Sequence, residues 1–511
     1  MPRRAADCEA RRMDGPPGPF LRERYPESET IMHYSTVLYI LGHIVRIEGA
    51  LMLLPILTGI IYREQEALAY VIVGMISFLI GHLIVHFKPK KLQMFAREGL
   101  VSVALSWIVM SMIGAVPFVM TGDIPDYTDA LFETISGFTT TGASILNDIE
   151  ALSHTSLIWR SFTHWIGGMG VIVFMLAIIP MASGYNMQLM KAESPGPSVG
   201  KLVPRIRDSA KILYLIYFAM TAAEMTVLLL SGMAAFDSIC ISFGTAGTGG
   251  FGVLGDSCAS YTVFQQVVIT VFMLAFGVNF NAYYYALGKD WKKAFRMEEV
   301  RWYLIIAAAA VLLISLNARE CFSGWGETIQ QVAFQVASIM TTTGFGTTDF
   351  NLWPMFSRLM LVGLMFIGAC AGSTGGGLKV SRVVILGKAF RQELRHYVHP
   401  RSVSTLRMEG KPVDKSIVRG VLVYFAAYIF VFAVSLLLLA LDPVQSFETD
   451  FTAVAATINN IGPGLDAVGP SANYSGMSMF SKYVLMFDML VGRLELFPML
   501  VLFMPSVWKR R

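Results

Sequence analysis

The sequence predicts an all-α polytopic membrane protein: an accessory two-helix hairpin followed by four helix–re-entrant loop–helix repeats around a central pore. Three observations carry this. The 511 residues are 54% hydrophobic and only 15% charged, against about 25% charged in soluble domains. Four apolar runs, each shorter than the roughly 20 residues of a bilayer crossing, end in small, hydroxylated, Gly-rich tips and read as re-entrant. Aligned on Gly142, Gly250, Gly344 and Gly462, the tips recur every 94 to 118 residues, a mark of internal repetition. Non-helical backbone at membrane depth survives only where it lines water or is buried in protein. Four such tips in one chain therefore point to a pore.

Residues 1–32 form a polar tail with Arg3, Arg4, Arg11, Arg12, Arg22 and Arg24 and the run Gly15-Pro16-Pro17-Gly18-Pro19. No apolar core follows the first arginines closely enough for a cleaved signal peptide, so the tail reads as cytoplasmic, with Met13 and Met32 as alternative starts. Residues 33–92 hold the accessory hairpin, with spans at 33–61 and 67–87 and no tip between them. Repeat one occupies 93–190 (spans 98–121 and 155–183) and repeat two 191–295 (spans 209–234 and 260–288). Repeat three occupies 296–410 (spans 301–317 and 353–390) and repeat four 411–511 (spans 417–441 and 477–507).

Basic residues orient these spans. Lys88, Lys90, Lys91 and Arg97 precede repeat one; Lys191, Lys201, Arg205, Arg207 and Lys211 precede repeat two. Lys289, Lys292, Lys293, Arg296 and Arg301 precede repeat three, Arg382 through Lys415 carry eight more before repeat four, and Lys509-Arg510-Arg511 ends the chain. The opposite loops are acidic or neutral, with Asp123, Asp126, Asp129, Asp442, Glu448 and Asp450. Both termini are thus expected in the cytoplasm, with all four tips entering from outside. The net charge of +4 is spread over these loops and is no nucleic-acid footprint. Cys8, Cys240, Cys258, Cys321 and Cys370 lie far apart, without metal-ligand spacing; they read as free thiols, although Cys258 and Cys321 share one face and a disulfide between them is permitted.

The tips read Thr139-Thr140-Thr141-Gly142, Gly249-Gly250-Phe251, Thr341-Thr342-Thr343-Gly344-Phe345-Gly346 and Asn459-Asn460-Ile461-Gly462-Pro463-Gly464. With them stand Trp159-Arg160, His164-Trp165-Ile166-Gly167-Gly168-Met169-Gly170, the loop Ala192-Glu193-Ser194-Pro195-Gly196-Pro197 and the stretch from Gly372 to Lys379. On these landmarks, from about residue 130 onward, the chain resembles the membrane subunit of the Trk/Ktr/HKT potassium transporters, of the bacterial TrkH type. The resemblance implies gated, potassium-selective uptake through a pseudo-fourfold pore in the bacterial inner membrane. It also implies a homodimer and a cytoplasmic TrkA-like regulatory subunit that binds NAD or ATP. Potassium is then the substrate, and no cofactor is expected on this chain.

Potassium sheds water in a narrow filter when backbone carbonyls replace its hydration shell, helped by helix C-termini aimed at the ion. The expected filter is Thr140, Thr141, Gly142, Thr248, Gly249, Gly250, Thr342, Thr343, Gly344, Asn460, Ile461 and Gly462. Gly247-Thr248-Gly249 and Asn459-Asn460 depart from the Thr triplet, so the ring is expected to fall short of fourfold symmetry. Serine at the first tip goes with sodium passage in the resembled family, and position 142 is glycine; Gly168, in the following span, reads as lying outside the filter. The run Gly372, Ser373, Thr374, Gly375, Gly376 and Gly377 should break the helix in which it falls and by resemblance is the gate. Lys379 and Arg493 join it as charges at membrane depth; for Arg493, an Arg–Glu pair holding two helices and a charge beside the ion path both fit.

Other candidates read as bland. His164 suits a packed interior position better than a ligand. Glu133, Asp237 and Asp450 are expected at the tip mouths, as helix N-caps or as cation-concentrating charges. Gly247 to Gly252 satisfies GxGxxG, and Gly372 to Lys379 resembles a phosphate loop, but both lie between membrane spans rather than in a βαβ unit. An intramembrane enzyme would need clustered catalytic side chains, which the sequence does not offer, and inverted-repeat transport conflicts with repeats of one orientation. Ion-coupled (sodium or proton) potassium symport stays open beside a channel.

Overall fold

The computed structural model describes residues 32–89, 95–170, 206–288, 290–401, 405–442 and 445–508. The tail before residue 32, the second half of the span expected at 155–183, the Ala192–Pro197 loop and Lys509-Arg510-Arg511 lie outside the described residues. Among the described residues, six helices are long and apolar enough to cross a membrane: Tyr34–Tyr62, Ala67–His86, Ala96–Thr121, Ala210–Leu230, Glu298–Asn317 and Lys415–Leu439. They are the accessory hairpin and the first span of each repeat, as expected. Their outward faces carry bare apolar side chains, with Leu230 83%, Leu437 70% and Phe430 69% exposed; such surface is a liability in water and suits hydrocarbon.

The second spans behave differently. His154–Met169 stops at Gly170, whose φ is +79°. Met355–Ile367 stops at Gly368 (φ +73°) and resumes as Val380–Val398, the interruption expected from the glycine run. Two spans expected to be continuous are broken as well. Val263–Phe276 turns by 93° into Phe280–Leu287, because the Asn279 side chain accepts from the Asn281 N–H at 2.9 Å and starts a new helix there. Met479–Arg493 gives way to Phe497–Leu502, with Glu495 and Leu496 left-handed between them and Pro498 opening the new helix. Proline lacks the N–H that a continuing helix would need.

The hairpin packs through small residues, the usual device where apolar area alone drives nothing together. A Cβ on Gly49 would stand 2.5 Å from Gly74 O, and one on Gly81 2.5 Å from Arg46 N. A core including Trp107, Phe138, Trp159, Tyr474 and Leu485 joins repeats one and four around the first tip. A second, with Tyr303, Val336, Phe350, Leu361 and Ile461, joins repeats three and four. A two-stranded hairpin, Arg407–Met408 with Lys411–Pro412, and an isolated bridge between Leu254 and Ser257 are small exceptions to the all-α class.

Candidate functional site

Each re-entrant run is a short helix followed by a turn: Tyr127–Phe138, Ala235–Gly247, Trp325–Met340 and Phe447–Ile458. Asp126 and Ser446 cap the first and fourth, accepting from Thr128 N at 2.8 Å and Thr449 N at 3.1 Å. The C-termini end alike. Thr140, Thr248, Thr342 and Asn460 are left-handed, at φ +55°, +54°, +60° and +55°, a conformation rare for β-branched residues. The next N–H reaches back five residues: Thr141 to Ser136 O (2.8 Å), Gly249 to Gly244 O (2.9 Å), Thr343 to Ser338 O (2.8 Å) and Ile461 to Ala456 O (2.8 Å). This is a Schellman closure, and it appears in all four repeats. One residue further, Gly142, Gly250, Gly344 and Gly462 take φ +78°, +82°, +86° and +98°. The departures from the Thr triplet therefore leave the backbone unchanged.

The four tips close on one another. A Cβ on Gly142 would stand 2.0 Å from Gly249 O, on Gly250 2.0 Å from Thr343 O, on Gly344 2.1 Å from Ile461 O, and on Gly462 2.8 Å from Thr141 O. Each glycine thus admits a carbonyl of the next repeat, and the fourth returns to the first. All twelve expected filter residues belong to this ring. On the side from which the short helices enter, the four glycines line a cavity of about 150 Å³. A ring of backbone oxygens at the C-termini of four helices is chemically suited to replacing a cation's hydration shell.

The loop 368–379 lies against the other side. Gly376 N donates to Thr342 Oγ1 at 2.6 Å, and Cβ atoms on Gly375 and Gly376 would meet Thr341 O at 2.7 Å and Asn459 O at 2.4 Å. Both ends of the loop hang on one carboxylate: Glu299 Oε1 accepts from Ala371 N at 2.6 Å and Ser381 N at 3.1 Å. The bend in repeat two holds it too, with Cys370 N donating to Gly277 O at 3.1 Å and Phe280 N to Gly372 O at 3.0 Å. Lys379 Nζ donates to Gly375 O. Arg493 donates to Thr374 O at 2.9 Å, Gly168 O at 2.7 Å and Gly167 O. All eight residues of the expected gate are therefore in one place. The Arg–Glu pair that joins helices there is Arg382 with Glu495, with Arg382 over the Tyr424 ring at 4.1 Å.

One expectation changes, and His164, Gly168 and the cysteines are placed more closely. Glu133 is neither an N-cap nor a charge at the mouth. It lies two turns into its helix, buried, with Oε1 on Arg160 Nε (2.5 Å) and Ser144 Oγ (3.0 Å) and Oε2 on Ile145 N (3.0 Å). His164 is packed inside as expected, yet it also ties two tips: its Nδ1–H donates to Gly137 O at 2.9 Å and its Nε2 accepts from Phe251 N at 3.3 Å. Gly168 packs tightly beside the ring: its carbonyl accepts from Arg493 and its Cβ would stand 2.7 Å from Gly247 Cα. Cys258 and Cys321 are both free, in keeping with their reading as free thiols. Asp237 and Asp450 do sit in the first turns of their helices; Asp237 accepts from Tyr261 Oη at 3.3 Å.

Residues 67–510 match the family model described as TrkH, a cation transport protein. The chain is 37% identical over 486 residues to the Trk system potassium uptake protein TrkH of Escherichia coli (strain K12), covering 94% of this chain and 100% of that one. It is 31% identical over 484 residues to the Trk system potassium uptake protein TrkG of the same strain, covering 93% and 99%. The crystal structure of the potassium transporter TrkH from Vibrio parahaemolyticus matches with a TM-score of 0.83 at 33% identity, over 94% of this chain and 100% of that one.

Proposed function

The chain belongs to the TrkH family of cation transport proteins, and from that premise we propose that it carries potassium into the cell through the ring of four tips. The cyclic contact of each tip glycine with the next repeat's carbonyl is the observation that supports this most directly. In this reading Thr140 to Gly142, Thr248 to Gly250, Thr342 to Gly344 and Asn460 to Gly462 form a potassium filter. The loop from Gly372 to Gly377, with Lys379 and Arg493, is the gate beneath it. The protein is a transporter rather than an enzyme, as its relatives' names are those of uptake proteins. The alternation of basic and acidic loops supports both termini in the cytoplasm, and the resemblance supports the bacterial inner membrane, a homodimer and a nucleotide-binding regulator of the TrkA kind.

The test is potassium or rubidium flux from the purified protein in liposomes, with its regulator, with and without sodium and proton gradients. Flux down a potassium gradient alone supports a gated channel-like pore; flux that needs a second ion's gradient supports symport through the same ring. A well-inserted protein that moves neither ion under any gradient would overturn the proposal.

A further inference from the structure

The four junctions between tips are tied on the cavity side by different chemistry. Between repeats two and three, Gly346 N donates to Ser257 Oγ at 3.1 Å and Cys258 N to Gly346 O at 2.9 Å. Between three and four, Asp466 N donates to Asn351 Oδ1 at 3.1 Å. Between four and one, Tyr474 N donates to Ser144 O at 2.8 Å and its hydroxyl to Gly462 O at 2.7 Å. These ties beside the tips are made by neutral groups or backbone; the ion pairs across the same junctions, Arg358 with Glu448 and Lys482 with Asp129, are more exposed and join the helices rather than the tips.

The junction between repeats one and two is made by a buried ion pair. Arg160 Nε donates to Glu133 Oε1 at 2.5 Å, Nη2 to Ser144 Oγ at 3.2 Å and Nη1 to Gly252 O at 2.9 Å. Its guanidinium lies 3.6 Å from the centre of the Phe251 ring, beside Gly250. Ser144 is shared with Tyr474, so one connected path runs from Gly462 through Tyr474, Ser144 and Arg160 to Gly252, spanning three of the four repeats. The side chains of Arg160 and Glu133 are 2% and 0% exposed, and Arg160 also borders the cavity lined by the tip glycines.

A buried ion pair is weak evidence for stability, because desolvation offsets much of its attraction. What it supplies is geometry: a rigid fork with donors in one plane addressing acceptors on two loops at once. We propose that Arg160 is a positioning residue that fixes the spacing of the first and second tips and so sets which monovalent cation the ring prefers. Glu133 orients the fork and neutralises it beside a cavity that cations must enter. This rests on the filter reading above.

The test compares Arg160→Gln, Arg160→Lys, Glu133→Gln and Gly142→Ser in liposomes, reading potassium and sodium flux separately, with thermal midpoints in detergent. Arg160→Gln releases Gly252 O and Phe251, and should lower potassium-over-sodium discrimination about tenfold, the scale of losing a charge-assisted hydrogen bond. Arg160→Lys keeps the charge but not the fork, and should fall between Gln and wild type. Glu133→Gln leaves a guanidinium unneutralised at the cavity wall, and should cut flux of both cations several-fold, with a smaller change in preference. If Arg160→Gln does not fold, Arg160→Lys decides. Lower thermal midpoints with wild-type discrimination in the Arg160 variants, while Gly142→Ser alters it, would reduce Arg160 to a packing element. Wild-type discrimination in Gly142→Ser as well would bring down the filter reading and this proposal together.

Discussion

Replacing Gly142 with serine perturbs the ring as sharply as a small side chain can, because the tip leaves no room for a Cβ. The added Cβ would stand 2.0 Å from Gly249 O, where ordinary contact begins at 3.4 Å. The obstacle is backbone, so no rotamer relieves it, and one of the two tips must give by about 1.4 Å. The φ of +78° adds strain, roughly 1–2 kcal/mol for a residue with a Cβ in the left-handed region. A carbonyl displaced by more than 1 Å loses its place around an ion. With each 1.4 kcal/mol worth about tenfold, potassium flux should fall by roughly tenfold or more. The serine hydroxyl offers a ligand to a smaller ion, so relative sodium passage should rise. Gly462→Ser is the graded comparison: its Cβ would meet Thr141 O at 2.8 Å, so the required shift is smaller and the loss of flux should be smaller. Gly363, in a second span with nothing within 4 Å of a Cβ, serves as control where Gly168 does not. Competition uptake of potassium and sodium reads all three. Equal selectivity in Gly142→Ser and wild type would mean that this tip does not face the ion, and the fourfold reading would fall with it.

Two further outcomes follow from the elements that flank the ring. Deleting Gly372 to Gly377, or replacing Glu299 with alanine so that Ala371 N and Ser381 N lose their shared acceptor, should raise flux several-fold and weaken control by the regulator, since a hydrogen bond to a charged group is worth about 1.5–3 kcal/mol. Unchanged flux in a correctly folded deletion would leave the loop as packing. Glu64, in the turn of the accessory hairpin, accepts from His154 N (2.9 Å), Thr155 N (2.8 Å), Thr155 Oγ1 (2.6 Å) and His154 Nδ1 (2.8 Å). Burial opposes its ionisation, but these hydrogen bonds outweigh burial and hold its carboxyl below the ordinary 4.5. A depressed folded pKa stabilises above the unfolded value and is lost as pH falls through the folded one. The thermal-midpoint gap between wild type and Glu64→Gln should therefore be full at pH 6 and shrink below about pH 4.5; a gap independent of pH would refute the assignment.

The tips were legible because their chemistry is local. A Thr or Asn that turns left-handed and a glycine two residues later fall within one short motif, so the period of the repeats appears in the sequence alone. The break at Gly372 was legible for the same reason, as six small residues cannot sustain a helix. The bend at Gly277–Asn279 was not, because one glycine in an apolar run is common, and the capping role of Asn279 shows only when the following helix has turned away. Long-range partners were hidden as well. Arg160 and Glu133 are 27 residues apart and meet only because a short helix re-enters beside the next span. Glu299, in the first turn of a span, carries no local signal beyond an acid suited to a helix N-terminus; its hold on residues 371 and 381 exists only once repeat three has folded back.

The ring's symmetry and its lack of symmetry arise at different levels of the chain. Backbone geometry imposes the symmetry: the same left-handed residue, the same five-residue reach and the same glycine recur even where Thr gives way to Gly or Asn. Side chains outside the ring break it: beside the tips a fully buried ion pair serves one junction, a tyrosine another and short polar groups the rest. A carbonyl ring constrains only the main chain, so sequence at the tips is free to drift wherever the left-handed turn survives. The outer ties meet no shared ligand and need only hold neighbouring tips at one spacing, which different chemistries accomplish equally well. A fourfold backbone can therefore be carried on four dissimilar supports, and substitutions in those supports, unlike substitutions at the glycines, should have effects that differ from one junction to the next.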